Sequence, residues 1–224
     1  MRTLLIGLLL VVPAMPQVVQ RRPVVRASGE GIVSVRPDQV KVRLSVTTNA
    51  NTAAEAADLN ASETTKVMGA LRQALGANTE IRTTGYSLGQ RYNPDLRRND
   101  GFTATNSIEV TVNDLSLAGR AIDTAAGAGA TTIGGIQFTL KDSAPSRAQA
   151  LRLATMQAKA NAEAIASGLG KTLGTVMVAQ EGSSVTVTPI DIRTTAGVGA
   201  AAPTPVEAGN VDVRAYVAVE AEMQ

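Results

Sequence analysis

From Gln39 to Val46 the residues alternate without a break. Val40, Val42, Leu44 and Val46 are apolar, while Lys41, Arg43 and Ser45 between them are polar. A period of two is the repeat of a β-strand with one face on a core and the other in water. Just before it, GEGIVSV (Gly29–Val35) has a similar character, and the two runs meet at Arg36-Pro37-Asp38. Proline forfeits no ladder bond at a corner, and aspartate there hydrogen-bonds local backbone. The stretch therefore reads as a hairpin with Asp38 as a turn residue. A catalytic Asp38 would need a partner acid, base or ligand, and none stands near it in sequence.

What packs against such strands is constrained by composition. Hydrophobic residues make up 44% of the 224, yet aromatics only 2%, and Trp is absent. The core must be built from Val, Leu, Ile and Ala, which favours helices lying close on a sheet. Few rings are left to stack on bases, which argues against single-stranded nucleic acid as a partner. The chain has no Cys and no His. Disulfides, thiol nucleophiles, thiolate or imidazole zinc sites and Ser-His-Asp machinery are thereby excluded. Acid–base chemistry would fall to Asp, Glu, Lys or Tyr. With a formal charge of +2 and no side chain titrating near neutrality, the chain is almost neutral and has no general pull on polyanions.

Helical spacing takes over at Thr52-Ala-Ala-Glu55, a capping box. Ala56, Leu59, Val67, Ala70, Leu71, Ala74 and Leu75 follow at helical intervals, and Gly76 supplies a stop. TEIRTTGYSLGQRY and GFTATNSIEVTVND then read as strands joined by the polar NPDLRRNDG. Asp95, Asn99 and Asp100 could be imagined as calcium oxygens, but EF-hand ligand spacing is missing and a hairpin tip is the expectation. Asp114 caps a short helix carrying Leu115, Ala118, Ala121, Ile122 and Ala125. TTIGGIQFTL is a strand. Its Gly134-Gly135 marks a bulge or close packing and not a phosphate loop, since no helix with Lys-Ser/Thr follows.

Pro145 opens the longest helical pattern, with Leu151, Ala154, Ala158, Ala162, Ile165 and Leu169 at steps of three and four. TLGTVMVAQE and NVDVRAYVAVEAEM supply the last strands, with Val211, Val213, Val217 and Val219 on one face. Between them, residues 193–209 are rich in Ala, Gly, Pro and Thr and read as a long flexible loop. At the other end, Arg2, an apolar run from Leu4 to Val12, then Pro13 and Ala14 have the layout of a secretory signal peptide. The run is too short to cross a bilayer core of about 30 Å. Residues 1–26 are thus read as a signal peptide and a short basic tether (Arg21, Arg22, Arg26), and 27–222 as the folded domain. The fold class is α+β: a mixed, mostly antiparallel sheet with helices packed on one face, or two intimately joined lobes.

GEGIVSVRPDQVKVRLSVTTNANTAAEAADLN, TTGYSLGQRY, GFTATNSIEVTVNDL, GATTIGGIQFTLKD and AKANAEAIASGLGKTLG occur here in this order. In order and spacing they resemble the SIMPL-domain family, which includes bacterial periplasmic immunogenic proteins. The likeness covers residues 27 to 221. It implies an exported envelope protein of the periplasm, with possible outer-membrane association, linked to stress tolerance and without an established enzymatic activity. Gly29, Gly31, Pro37, Asp38, Asn60, Tyr86, Asn106, Gly135, Phe138 and Gly174 match family positions and are read as turn, cap and packing residues.

No catalytic, cofactor-binding or metal-binding residue is assigned. The leading expectation is a non-catalytic protein that self-assembles or binds an envelope partner, with no nucleic acid, no cofactor and no integral membrane span in the mature chain. A carboxylate-based hydrolase of envelope glycans is the alternative. It needs two acids about 5 to 10 Å apart in one cleft, and Asp38, Asp95, Asp142, Glu181 and Asp191 are its candidates. A ring-shaped pore lined by residues 194–209 is the third.

Overall fold

The computed structural model describes residues 23–76, 79–95, 97–182, 187–189 and 204–224. In chain order the elements are β1 (Val24–Val35), β2 (Gln39–Ala50), α1 (Ala53–Leu75), β3 (Glu80–Asn93), β4 (Arg98–Val112), α2 (Ala118–Gly127), β5 (Thr132–Thr139), α3 (Ala144–Gly168), β6 (Leu173–Glu181), β7 (Val187–Pro189) and β8 (Val211–Met223). The strands form two four-stranded sheets. Sheet A runs β1-β8-β6, with β7 also beside β8, and sheet B runs β3-β4-β2-β5. Every pairing in both is antiparallel. This is the α+β class, in its two-lobed form, with α3 on sheet A and α1 and α2 on sheet B.

The expected hairpin at the start is corrected. β1 and β2 are both strands, but they lie in different sheets. β4 occupies one side of β2 and β5 the other, so no ladder position is left for β1. β1 pairs instead with β8, from Val24 opposite Glu222 to Val35 opposite Val211. The Pro37-Asp38 corner is a crossover, and Asp38 makes its bond far from home. Asp38 Oδ1 accepts from the Lys141 amide at 2.7 Å, and its own amide donates to Thr139 O, tying the start of β2 to the end of β5.

The apolar row of β2 is fully buried against Val67 and Leu71 of α1, Ile108 and Val110 of β4, and Ala118, Ala121 and Ala125 of α2. Each such Val, Leu or Ile contributes about 1.5–3 kcal/mol. Both halves of the Thr52–Glu55 capping box are present, and Gly76 ends α1 at φ 84°. The stripe that α1 buries is Ala56, Asn60, Thr64, Val67, Leu71 and Leu75, whereas Leu59 is exposed. Asn60 is tolerated in the core because its Nδ2 donates to Val46 O and Ala104 O, at 2.9 and 3.1 Å.

Helix α3 departs further from its expected face. It buries Ala150, Ala154, Ala158, Ala162 and Ala166 at strict four-residue steps, leaving Ile165 and Leu169 exposed. The reason lies in β1. A Cβ on Gly31 would stand 2.0 Å from Ala150 O, and one on Gly29 2.3 Å from Ala154 O and from Ala158 N. Strand and helix backbones touch, and only a methyl-sized side chain fits between the elements.

Strand β8 joins the lobes. Val211 belongs to the core of sheet B, while Ala215, Val217, Val219 and Ala221 lie in that of sheet A. The proposed signal segment, Arg21, Arg22, Asp191 and residues 190–203 lie outside the described residues. Arg26, assigned from sequence to the tether, is part of β1 and pairs with Glu220. The final part of the long loop is anchored: Thr204 donates to Asp123 of α2 through its amide and its hydroxyl, and Val206 packs on the core of sheet B.

Candidate functional site

Of the four described acids weighed for catalysis, three have carboxylates with partners of their own. Asp38 holds the Lys141 amide, Asp142 accepts from the Ala144 amide at the start of α3, and Glu181 pairs with Arg147 at 2.6 Å. Asp95 lies at the tip of the β3–β4 hairpin, its amide bonded to Asn93 Oδ1. At that tip Asp100 takes Arg91 and Asn93, and Asn99 donates to Gln90, so the oxygens considered for calcium serve the turn. None of these acids lines either of the two cavities described next. Among the described residues no three acids converge as metal ligands.

The larger features are sheet faces. α3 covers one face of sheet A, and among the described residues nothing covers the opposite face. There Arg26 and Ser28 of β1, Ala218 and Glu220 of β8, and Val178 and Gln180 of β6 line a groove of about 510 Å³. Arg26 closes on Glu220 at 2.6 Å on one side. Further along, Glu30 accepts from Arg214 at 3.2 Å and from the Tyr216 hydroxyl at 2.8 Å, and Arg214 also meets Asp212. A second cavity of about 620 Å³ lies under the end of α1, lined by Thr79, Asn113, Asp114 and Lys141 among others.

Among the described residues, sheet B also has an uncovered face. Its side chains pair across β2 and β4 as hydroxyl and amide rows: Ser45 with Ser107, Thr47 with Thr105, and Thr103 with Asn49. At one end of these rows stands Glu109, buried although it faces outward. Arg82 binds it at 2.7 Å, Arg43 at 3.7 Å and Lys41 at 4.0 Å. Three cationic heads thus surround one carboxylate.

Among the described residues, the ionisable groups that depart from their ordinary pKa move away from neutrality. A hydrogen bond to Glu109 and its charge raise Arg82. Glu30 raises both Arg214 and Tyr216, chiefly through hydrogen bonds. Asp100 is lowered by bonds from Asn93 and Arg91, and Asp114 by the Ser116 hydroxyl and amide. Acid–base catalysts are tuned the opposite way, toward the working pH. The arrangement stabilises fixed charges. The sequence did not reveal Glu109 or the Glu30 cluster, because their partners sit on strands whose pairing the local pattern does not specify.

A family described as SIMPL, a protein of unknown function (DUF541), matches residues 25–221. The 26 kDa periplasmic immunogenic proteins of Brucella melitensis and Brucella abortus are each 27% identical to this chain over 164 residues, 70% of this chain and 66% of the relative. The match thus spans just under two thirds of the length of those curated relatives. A solved structure, "The crystal structure of AtUAH in complex with glyoxylate", aligns at 13% identity over 57% of this chain and 35% of that one, with a TM-score of 0.27. So slight a likeness bears on neither fold nor function.

Proposed function

Since the chain belongs to the SIMPL family, whose pattern spans residues 25–221, we propose that it is an exported protein of the periplasm that works by binding or self-assembly, without catalysis, and supports tolerance of envelope stress. The names of its Brucella relatives support the compartment. The observation that carries the mode of action is the state of the ionisable groups. Of the four described candidate acids, Asp38, Asp142 and Glu181 are spent on a turn, a helix start and an ion pair, and Asp95 stands at a hairpin tip away from both cavities. What remains available among the described residues is surface: an open face on each sheet and a long strand edge with no described partner.

The test is a deletion strain challenged with oxidant, heat and detergent, alongside fractionation of the producing cell. The protein is expected in the periplasmic fraction, and its loss is expected to lower survival. Glu181→Gln and Asp95→Asn are expected to restore survival as fully as the parent. A strain of unchanged tolerance rejects the stress role, and failure of the two neutralised variants to complement while folded rejects the non-catalytic reading.

A further inference from the structure

Edge strands of stable proteins are usually short, charged, interrupted by proline or covered. β3 is long, free of proline and uncovered among the described residues, and its charges stand only toward its ends. It is 14 residues long, and twelve of them are exposed. β4 pairs with one side of it, and among the described residues no strand pairs with the other. From Thr83 to Gln90 it contains neither a charge nor a proline. Tyr86 and Leu88 face the helix-bearing side of sheet B, opposite Asn106 and Ala104, yet remain 53% and 42% exposed. The opposite edge, β5, has only 8 residues.

The sequence of this edge has a further property. Gly85-Tyr86-Ser87-Leu88-Gly89 reads the same by residue class in either direction: glycine, apolar, serine, apolar, glycine. When two copies of one strand pair antiparallel, a two-fold axis at residue n sets n+k against n−k. An axis at Ser87 sets Gly85 against Gly89, Tyr86 against Leu88, and Thr84 against Gln90. Moving the axis to residue 86 sets Leu88 against Thr84, and moving it to 88 sets Tyr86 against Gln90. An axis at 86 pairs Tyr86 with itself and one at 88 pairs Leu88 with itself, but only the Ser87 axis gives both residues an apolar partner. The ladder irregularities after Thr83 and after Gln90 bound the same stretch. The flanking cations are compensated within their own chain, Arg82 by Glu109 and Arg91 by Asp100.

We propose that β3 joins two copies of this chain, antiparallel about Ser87, so that two four-stranded sheets become one of eight. Two Tyr86 and two Leu88 side chains then form a shared cluster on the helix-bearing face. The internal symmetry of the strand fits a second copy and would serve no purpose for an unrelated peptide. This rests on the self-assembly reading above and names its surface.

The chain contains no cysteine, so Ser87→Cys places one thiol per copy on the axis. A short bis-maleimide is expected to link this variant into a dimer at least tenfold faster than Ala126→Cys, which is exposed on α2. Ser87→Lys sets two ammonium groups face to face and is expected to weaken association at least tenfold in sedimentation equilibrium. A protein that stays monomeric at every concentration overturns both this proposal and the self-assembly reading. An oligomer untouched by Ser87→Lys and linked no faster at 87 than at 126 overturns the β3 contact alone.

Discussion

Replacing Gly31 by alanine tests the packing of sheet A at its tightest point. The new Cβ would lie 2.0 Å from Ala150 O, 2.7 Å from Ala154 N and 2.9 Å from Ala150 C. All three are backbone atoms of α3, so no rotamer change relieves the contact. Ordinary van der Waals separation begins near 3.4 Å, and the helix must retreat from β1 by about 1.4 Å. Gaps of 0.5–1 Å already forfeit a quarter to a half of a dispersion well, and here the loss runs along the Ala150–Ala154–Ala158 stripe. Overpacking costs about 1–3 kcal/mol, and with backbone on both sides we expect the upper end, about 3 kcal/mol. For a chain of this size that lowers Tm by about 6–12 °C. Two controls separate the clash from the chemistry of the exchange. Gly69→Ala, on the exposed side of α1 with nothing within 4 Å, should gain up to about 1 kcal/mol from helix propensity. Ala150→Gly should not rescue Gly31→Ala, because the offending atom is a carbonyl oxygen. The assay is thermal unfolding followed by circular dichroism. A Gly31→Ala protein melting within 1 °C of the parent would show that α3 does not sit on β1 as described.

Other perturbations follow from the same structure. Asn60→Leu strands the Val46 and Ala104 carbonyls; at about 1–3 kcal/mol for an unsatisfied buried group, denaturant unfolding should show a loss of at least about 2 kcal/mol. Glu109→Gln leaves Arg82, Arg43 and Lys41 without a buried anion among them; the variant should be less stable, and added salt should narrow its deficit by screening. Stability should be nearly flat from about pH 5 to 9, because no His or Cys titrates there. Asp100 and Asp114 have lowered folded pKa values, so their contribution is present above the unfolded carboxylate range, about 4, and is lost as pH falls through the folded values. Tyr216 is raised, so its contribution is full below about 10 and is lost as pH climbs through its folded value. A melting midpoint that changes steeply near pH 7 would contradict both.

The elements themselves were legible because each depends on neighbours in sequence. The alternation of β2, the Thr52 cap, the Gly76 stop and the Asp114 cap depend on residues a few positions away, and all are present. Pairing was not legible at β1, since alternation says that a strand has two faces and nothing about which strand lies beside it. The face of α3 was misjudged for a related reason. Leu and Ile outrank Ala in hydrophobicity, so Ile165 and Leu169 drew the stripe toward themselves. The stripe that is buried was chosen by Gly29 and Gly31, more than a hundred residues away. Leu59, expected in the buried stripe, is exposed, and Asn60 beside it is buried with its amide on two strand carbonyls. Glu109 could not be read as buried until Arg82 on β3 and Arg43 and Lys41 on β2 were known to flank it.

The placement of β8 has a consequence for how the chain is made. It is the central strand of sheet A, flanked by the first strand and the sixth, and it reaches into the other lobe through Val211. Until it emerges from the ribosome, β1 and β6 have no common neighbour and the methyl seam of α3 has half a floor. Sheet A, and with it the floor of α3, therefore stays open until β8 has been made, whereas the ladder of sheet B needs no strand beyond β5.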